Sequence, residues 1–273
     1  MINTKKRVLR LRSAIAAILV LCFTASCNTD EDKTKDDDGT PDKVTTVSVV
    51  PATPGVGIGR VVNEPAESNG IVIGIDPGHG FMDGGAGEGI LPDGILEKDI
   101  NLSIANKLNE DLMQLGYTTI LTHDGVNLPP EAMYDHIFNA VERSAYVNSL
   151  KMDYFISIHV NSAQNSEAEG SRIYYYDNSI KVNPIGGAVA ELIGEAIEKN
   201  IPEDVDPVVV DQSEAPNSSF ALCRDVKYPS ALVEVGFCTN ENDAAKMIDD
   251  EWQERFAQAL ADGIDEYFTN HAK

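Results

Sequence analysis

The chain has 273 residues and a formal charge of −23, from 21 basic and 44 acidic side chains. Its length holds one large core or two small ones. A surface this acidic repels nucleic acid and anionic lipid headgroups, so it excludes a nucleic-acid partner and a membrane contact built on basic patches.

Residues 1–26 oppose that balance, with Lys5, Lys6, Arg7, Arg10 and Arg12 and no acid. The apolar run from Ala14 to Phe23 is ten residues long, too short to span a bilayer as a helix and the size of a signal-peptide core. Thr24, Ala25, Ser26 and Cys27 follow, and they resemble the lipobox of bacterial lipoproteins, with Thr24 where leucine is usual. The resemblance implies cleavage before Cys27 and lipidation of it, so the membrane contact is expected through the lipid anchor only, in the cell envelope outside the cytoplasm. Several acyl chains on one cysteine would hold where one anchors marginally.

Residues 27–70 then carry the lipidated cysteine and a disordered acidic tether, later rich in Thr, Val, Pro and Gly. Its reach is on the order of 40 Å. Gly55, Gly57 and Gly59 precede the first strand instead of following one, which argues against a dinucleotide loop.

From Ile71 onward, residues 71–273, β-branched runs alternate with amphipathic stretches. Strands are expected at Ile71–Ile75, Tyr117–Leu121, Tyr154–Ile158, Arg172–Tyr176, Phe220–Cys223 and Ala231–Val235. Helices are expected at Lys98–Leu115, Pro130–Ser149, Pro184–Lys199 and Glu251–Tyr267. The pattern predicts an α/β fold: a single domain with a mostly parallel, mixed central sheet of about six strands covered by helices on both faces. Of the cysteines in this part, Cys223 and Cys238, export permits a disulfide but does not demand one.

Four features converge on chemistry. Asp76-Pro77-Gly78-His79-Gly80 forces a sharp turn at a strand end with a histidine at its apex. A glycine-rich segment ends in Glu97, just before the first long helix, where a carboxylate would also favour the helix dipole. Ser157-Ile158-His159-Val160-Asn161 ends another strand in a histidine. Glu234 interrupts an apolar strand, and a buried carboxylate needs a strong partner to offset its desolvation. Two histidines and a glutamate are a ligand set for catalytic zinc, with a further carboxylate available as general base.

These segments, with Arg143 and Asn148, Glu169-Gly170, and Pro229 through Phe237 followed by Asn240, resemble the zinc-dependent N-acetylmuramoyl-L-alanine amidases of the cell wall, over roughly residues 71–268. The resemblance implies that His79, Glu97 and His159 bind zinc, that Glu234 is the catalytic glutamate, and that the substrate is peptidoglycan, cut between muramic acid and L-alanine. Asn161 would support the ligands or contact substrate. The chain departs from the family pattern at Thr122-His123-Asp124, where Thr-Arg is common, and lacks an Arg-Gly pair around Val205–Val210. His123 and His136 are expected to be solvated or structural, and His271 to lie in a fraying tail.

Two other readings compete: a zinc carboxypeptidase acting on the stem peptide, and a non-catalytic wall-binding lipoprotein. Some members of the family carry an inserted helix that occludes the metal until a partner removes it. Here the seven residues Asp177–Asn183 are too few for such a plug. The stretch Ile201–Ser219, with three prolines, reads as a rim loop. An open site and no obligatory activator are therefore expected.

Overall fold

Strands that read as continuous apolar runs are buried on both faces, and three of them form the middle of the sheet. The computed structural model describes residues 61–86, 90–125, 139–177, 185–204, 207–214 and 219–271. Its strands are β1 (Val61–Asn63), β2 (Val72–Pro77), β3 (Thr118–Leu121), β4 (Tyr154–Asn161), β5 (Arg172–Tyr175), β6 (Val208–Asp211) and β7 (Ser230–Phe237). They lie in the order β1-β3-β2-β4-β7-β5-β6. The central pairs β3/β2, β2/β4 and β4/β7 are parallel, as is β5/β6, whereas β1/β3 and β5/β7 are antiparallel.

Helices α1 (Glu97–Gln114), α3 (Ile185–Asn200) and α6 (Asp250–His271) cover one face. Ile73, Ile75, Ile156, Ile158, Val233 and Val235, alternate residues of the central strands, meet the buried stripes of those helices, such as Ile100, Ile104 and Leu108 of α1. The other face, which carries Phe155 and Leu232, packs under α2 (Ala140–Ser149) and the short α4 (Ala221–Arg224). Helix α5 (Glu241–Met247) packs beside the end of β7. Among the described residues no helix is long and apolar enough to cross a membrane.

The expected architecture holds, with corrections. Among the described residues the sheet has seven strands, where about six were expected. Phe220–Cys223 is not a strand but the start of α4: Arg224 N donates to Phe220 O at 2.9 Å and Asp225 N to Ala221 O at 2.7 Å, the spacing of helical turns. A four-residue apolar run cannot by itself distinguish the two. Val208–Asp211, expected in a rim loop, pairs in parallel with β5 as an edge strand, a place that tolerates a neighbouring proline. The tether assigned to residues 27–70 also runs too far, because Val61–Asn63 pairs with Thr119–Leu121 and begins the fold ten residues before Ile71. Three residues are too few to show a period. Residues 130–138 and Pro184, placed in expected helices, lie outside the described residues, as do residues 1–60.

Candidate metal centre

The parallel strands bring His79, His159 and Glu234 to one edge of the sheet, where Glu97 at the start of α1 meets the histidines. His159 near the end of β4 pairs with Glu234 in β7, and the turn after β2 brings His79 alongside. The turn approaches β4 so closely that a Cβ at Gly78 would sit 2.4 Å from His159 Cε1, so only glycine fits there. The two imidazoles meet edge to face with centroids 4.9 Å apart.

Glu97 opens α1 and is 2% exposed. Its Oε2 accepts Ala86 N at 2.6 Å, and its Oε1 accepts Val160 N at 3.0 Å. The same Oε1 lies 3.1 Å from His79 Nε2 and 3.1 Å from His159 Nδ1. Burial would raise the Glu97 pKa, but the two histidines outweigh it and hold the carboxyl well below the usual range. A helix-dipole role alone would leave this side chain at the surface.

Behind His79, Nδ1 pairs with Asp83 Oδ2 at 2.8 Å, and Asp83 Oδ1 accepts Gly85 N at 3.1 Å. Burial lowers the His79 pKa, yet Asp83 and Glu97 on its two nitrogens push it up to about 10. The Glu97 carboxylate between the two imidazoles marks a place that a cation can take. One ligand atom from each of His79, Glu97 and His159 lies within 4.8 Å of the others. Among the described residues His159 Nε2 is buried without a hydrogen-bond partner. Two imidazoles, a buried carboxylate and an orphaned ring nitrogen fit a divalent ion such as zinc.

Glu234 is 7% exposed, and its Oε2 has no hydrogen-bond partner among the described residues. Burial, followed by the charge of Glu97, pushes its pKa up to about 8. A small cleft of about 120 Å³ joins His79, His159 and Glu234 to an apolar wall of Ala221, Leu222 and Leu232. A larger recess of about 480 Å³, bordered by Glu167, Glu169 and Glu241, contains none of these four site residues. Of these two recesses, the smaller is the one that brings the two histidines together with a buried carboxyl.

Asn161 is not among the converging ligands. A register irregularity separates it from His159, and its side chain accepts Ser162 N at 2.8 Å and meets the Tyr174 hydroxyl. His123 is structural, not solvated: it is 1% exposed and bonded to main-chain carbonyls. His271 ends α6 on the surface, and His136 lies outside the described residues. Sequence reasoning missed Asp83 and Asn101. The latter shares a helix face with Glu97 four residues earlier and lies 3.4 Å from it, a spacing that could have revealed it.

A family model described as N-acetylmuramoyl-L-alanine amidase matches residues 73–266. The chain is 31% identical over 199 residues to N-acetylmuramoyl-L-alanine amidase LytC of Bacillus subtilis, covering 73% of this chain but only 36% of LytC. It is 29% identical over 206 residues to the germination-specific N-acetylmuramoyl-L-alanine amidase of the same organism, covering 74% and 81% of the two chains. Among solved structures, N-acetylmuramoyl-L-alanine amidase AmiC2 of Nostoc punctiforme matches with a TM-score of 0.60 at 30% identity, covering 74% of this chain and 99% of that one. The CwlD amidase from Clostridioides difficile, solved in complex with the GerS lipoprotein, matches with a TM-score of 0.60 at 26% identity over 73% and 99%.

Proposed function

Because the chain belongs to the N-acetylmuramoyl-L-alanine amidase family, we propose that it hydrolyses the amide between N-acetylmuramic acid and L-alanine in peptidoglycan, with zinc held by His79, Glu97 and His159. The observation that carries this reading is the convergence of those three side chains beside the unpaired carboxyl oxygen of Glu234. When bound, zinc would supply Lewis acidity, polarising the scissile carbonyl and acidifying water.

The protein's own groups do the rest. Asp83 fixes the His79 ring so that Nε2 faces the centre. Backbone donors from Ala86 and Val160 hold Glu97 in place. Glu234, with its pKa near 8, is a carboxyl that exchanges a proton near neutrality, and a cation beside it draws that pKa down. It takes the proton of the attacking water and delivers it to the departing L-alanine nitrogen, so the amide leaves as a neutral amine. The apolar wall of Ala221, Leu222 and Leu232 keeps bulk water from this exchange.

A digest of purified peptidoglycan, with and without chelator, tests the reading by mass spectrometry. The amidase releases intact stem peptides and leaves peptide-free glycan, and the chelator stops it. Free D-amino acids would point to a carboxypeptidase, and no product at all to a wall-binding protein.

We place the chain in the cell envelope through the same reasoning from sequence. Residues 1–26 act as a signal peptide, Cys27 carries lipid, and the acidic segment after it tethers the domain. Cys27→Ser should shift the protein from the membrane fraction to the soluble fraction or leave it unprocessed. A wild-type chain that is soluble and cut elsewhere would refute the anchor. No obligatory activator is required in this reading, which is supported by a cleft reaching His79, His159 and Glu234. Purified chain acting on soluble muropeptide with no second protein added is the check.

A further inference from the structure

The loop that presents His79 is left-handed at two residues that are not glycine, His79 at φ 63° and Phe81 at φ 55°. Such a conformation is unfavourable for a residue with a Cβ and persists where the surroundings over-determine it. The surroundings here are side chains at every carbonyl but one. Every main-chain carbonyl from Pro77 to Phe81 has a donor: Pro77 O takes His123 Nε2 at 2.8 Å and Arg143 Nη1 at 3.1 Å, and Gly78 O takes Asn101 Nδ2 at 3.1 Å. His79 O takes His123 Nε2 at 3.0 Å and also Arg143 Nη2, while Gly80 O takes Asp83 N at 3.0 Å and Phe81 O takes Lys98 Nζ at 2.7 Å.

We propose that His123 and Arg143 are positioning residues, which hold the backbone of His79 in its left-handed turn and so aim its imidazole at the metal. The proposal rests on the zinc reading of the site. Both side chains reach the same two carbonyls, Pro77 O and His79 O, and together they fix the peptide planes on either side of the turn. His123 Nδ1 accepts Gly125 N at 3.3 Å, which leaves Nε2 as the N–H that donates. Its ring packs edge to face with Phe81 at 5.4 Å, and a Cβ at Gly80 would lie 2.8 Å from it, so the turn is pressed against the imidazole.

Arg143 is aimed in turn by Asp76, a fully buried carboxylate that accepts Arg143 Nη1 at 2.8 Å, Thr122 Oγ1 at 2.5 Å and Ser157 Oγ at 2.7 Å. With Nη1 on Asp76 and Pro77 and Nη2 on His79, the planar guanidinium spans positions that a lysine ammonium cannot occupy together. Position 123, where the sequence departs from the family pattern, thus serves the metal loop instead of the surface.

The test uses the full chain loaded with zinc or cobalt. Zinc affinity is measured by competition with a chelator, and ligand geometry by the visible spectrum of the cobalt form. His123→Phe, which keeps a ring but removes the donor, and Arg143→Lys should each weaken zinc binding by about 10–100-fold and alter the cobalt spectrum. His123→Gln, which restores an N–H donor, should recover most of the affinity. Ile197→Val, in the apolar core of α3, should lower the melting temperature while leaving affinity and spectrum unchanged. If His123→Phe and Arg143→Lys behave like Ile197→Val, the two residues are merely structural and the proposal fails. If His123→Phe does not fold, His123→Leu, which also lacks the donor, replaces it at position 123, and Arg143→Lys decides position 143 by the same two readouts. Wild-type chain that takes up neither metal would overturn the zinc reading itself, and the positioning roles with it.

Discussion

The two sides of the central sheet are built on opposite principles. Against α1, α3 and α6 lies a core of aliphatic and aromatic side chains, in which burial itself is favourable. At the carboxyl edge on the other side lie Asp76, Arg143, His159 and Glu234, all buried or partly buried polar groups whose desolvation must be met by hydrogen bonds or charge partners. Asp76 is met fully, by three donors, whereas Glu234 Oε2 and His159 Nε2 are not met at all within the described residues. Stability therefore resides chiefly in the first region and unfinished bonding in the second. Substitutions should separate metal binding and turnover from folding according to the side they fall on.

The largest effects are expected from the three ligands. His79→Ala, Glu97→Ala and His159→Ala should each empty the metal site and abolish amide hydrolysis, seen as loss of stoichiometric zinc by elemental analysis together with loss of product. Glu97→Ala should also lower the melting temperature, because it strands the part-buried N–H of Ala86 and the buried N–H of Val160.

Glu234→Gln comes next and should split the two properties. Turnover falls by about 10²–10⁴-fold, the usual contribution of a general base, while zinc stays bound. The metal-free protein supplies a second readout. A carboxyl whose folded pKa of about 8 stands above its ordinary value of 4.5 favours folding when protonated, and that advantage is lost as pH rises from 4.5 through about 8. Metal-free wild type should therefore lose more stability than metal-free Glu234→Gln between pH 5 and 9. Denaturant melts of the pair that stay parallel across that range would show that Glu234 does not sit in the desolvated state described.

The four central residues were legible in the sequence because His79 and His159 follow or end apolar strands, Glu234 interrupts one, and Glu97 closes a glycine-rich segment before a helix, places where burial or a ligand must explain a polar side chain. Asp83, Asn101 and His123 were not. An aspartate in a glycine-rich loop reads as a turn former, an asparagine inside a helix reads as a solvent face, and the bonds of His123 run to carbonyls 44 and 46 residues away that no local pattern announces. In the fold, the long strands and helices were visible by their period. Val61–Asn63 and Val208–Asp211 were hidden by their shortness and edge positions, and Ala221–Arg224 was misread because four apolar residues have no period to measure.

On the apolar side, α3 and α6 cross at Gly263, where a Cβ would lie 2.6 Å from the backbone N and Cα of Ile193. Helix geometry there leaves no flexible atom to give way, so Gly263→Ala should force the helices apart and cost about 1–3 kcal/mol, less the gain of about 1 kcal/mol in helix propensity. The expected outcome is a melting temperature lower by a few degrees, with zinc affinity unchanged. A loss of zinc in this variant would mean that the two sides are coupled more tightly than the contacts imply.

The smallest effect concerns the two cysteines of the folded part, for which the sequence left both a bridge and two free thiols open. They are not bonded to each other, and both are buried. Cys238 belongs to the core under α1, α3 and α6, whereas Cys223 belongs to the core under α2 and α4, where its Sγ lies 3.5 Å from Tyr174 O. The sheet stands between those cores, and a disulfide needs Cα atoms within about 7 Å and side chains that point toward each other. Cys223 and Cys238 therefore act as small apolar side chains, even in an oxidising compartment that would permit a bond. Burial, then the charge of Glu97, pushes the Cys238 thiol up to about 11, which keeps it protonated and slow to oxidise. Adding a reductant should leave the melting temperature of the purified domain unchanged within error, and titration of the denatured protein should count both thiols. A reductant-dependent melting temperature would show that the two sides of the sheet are covalently joined after all.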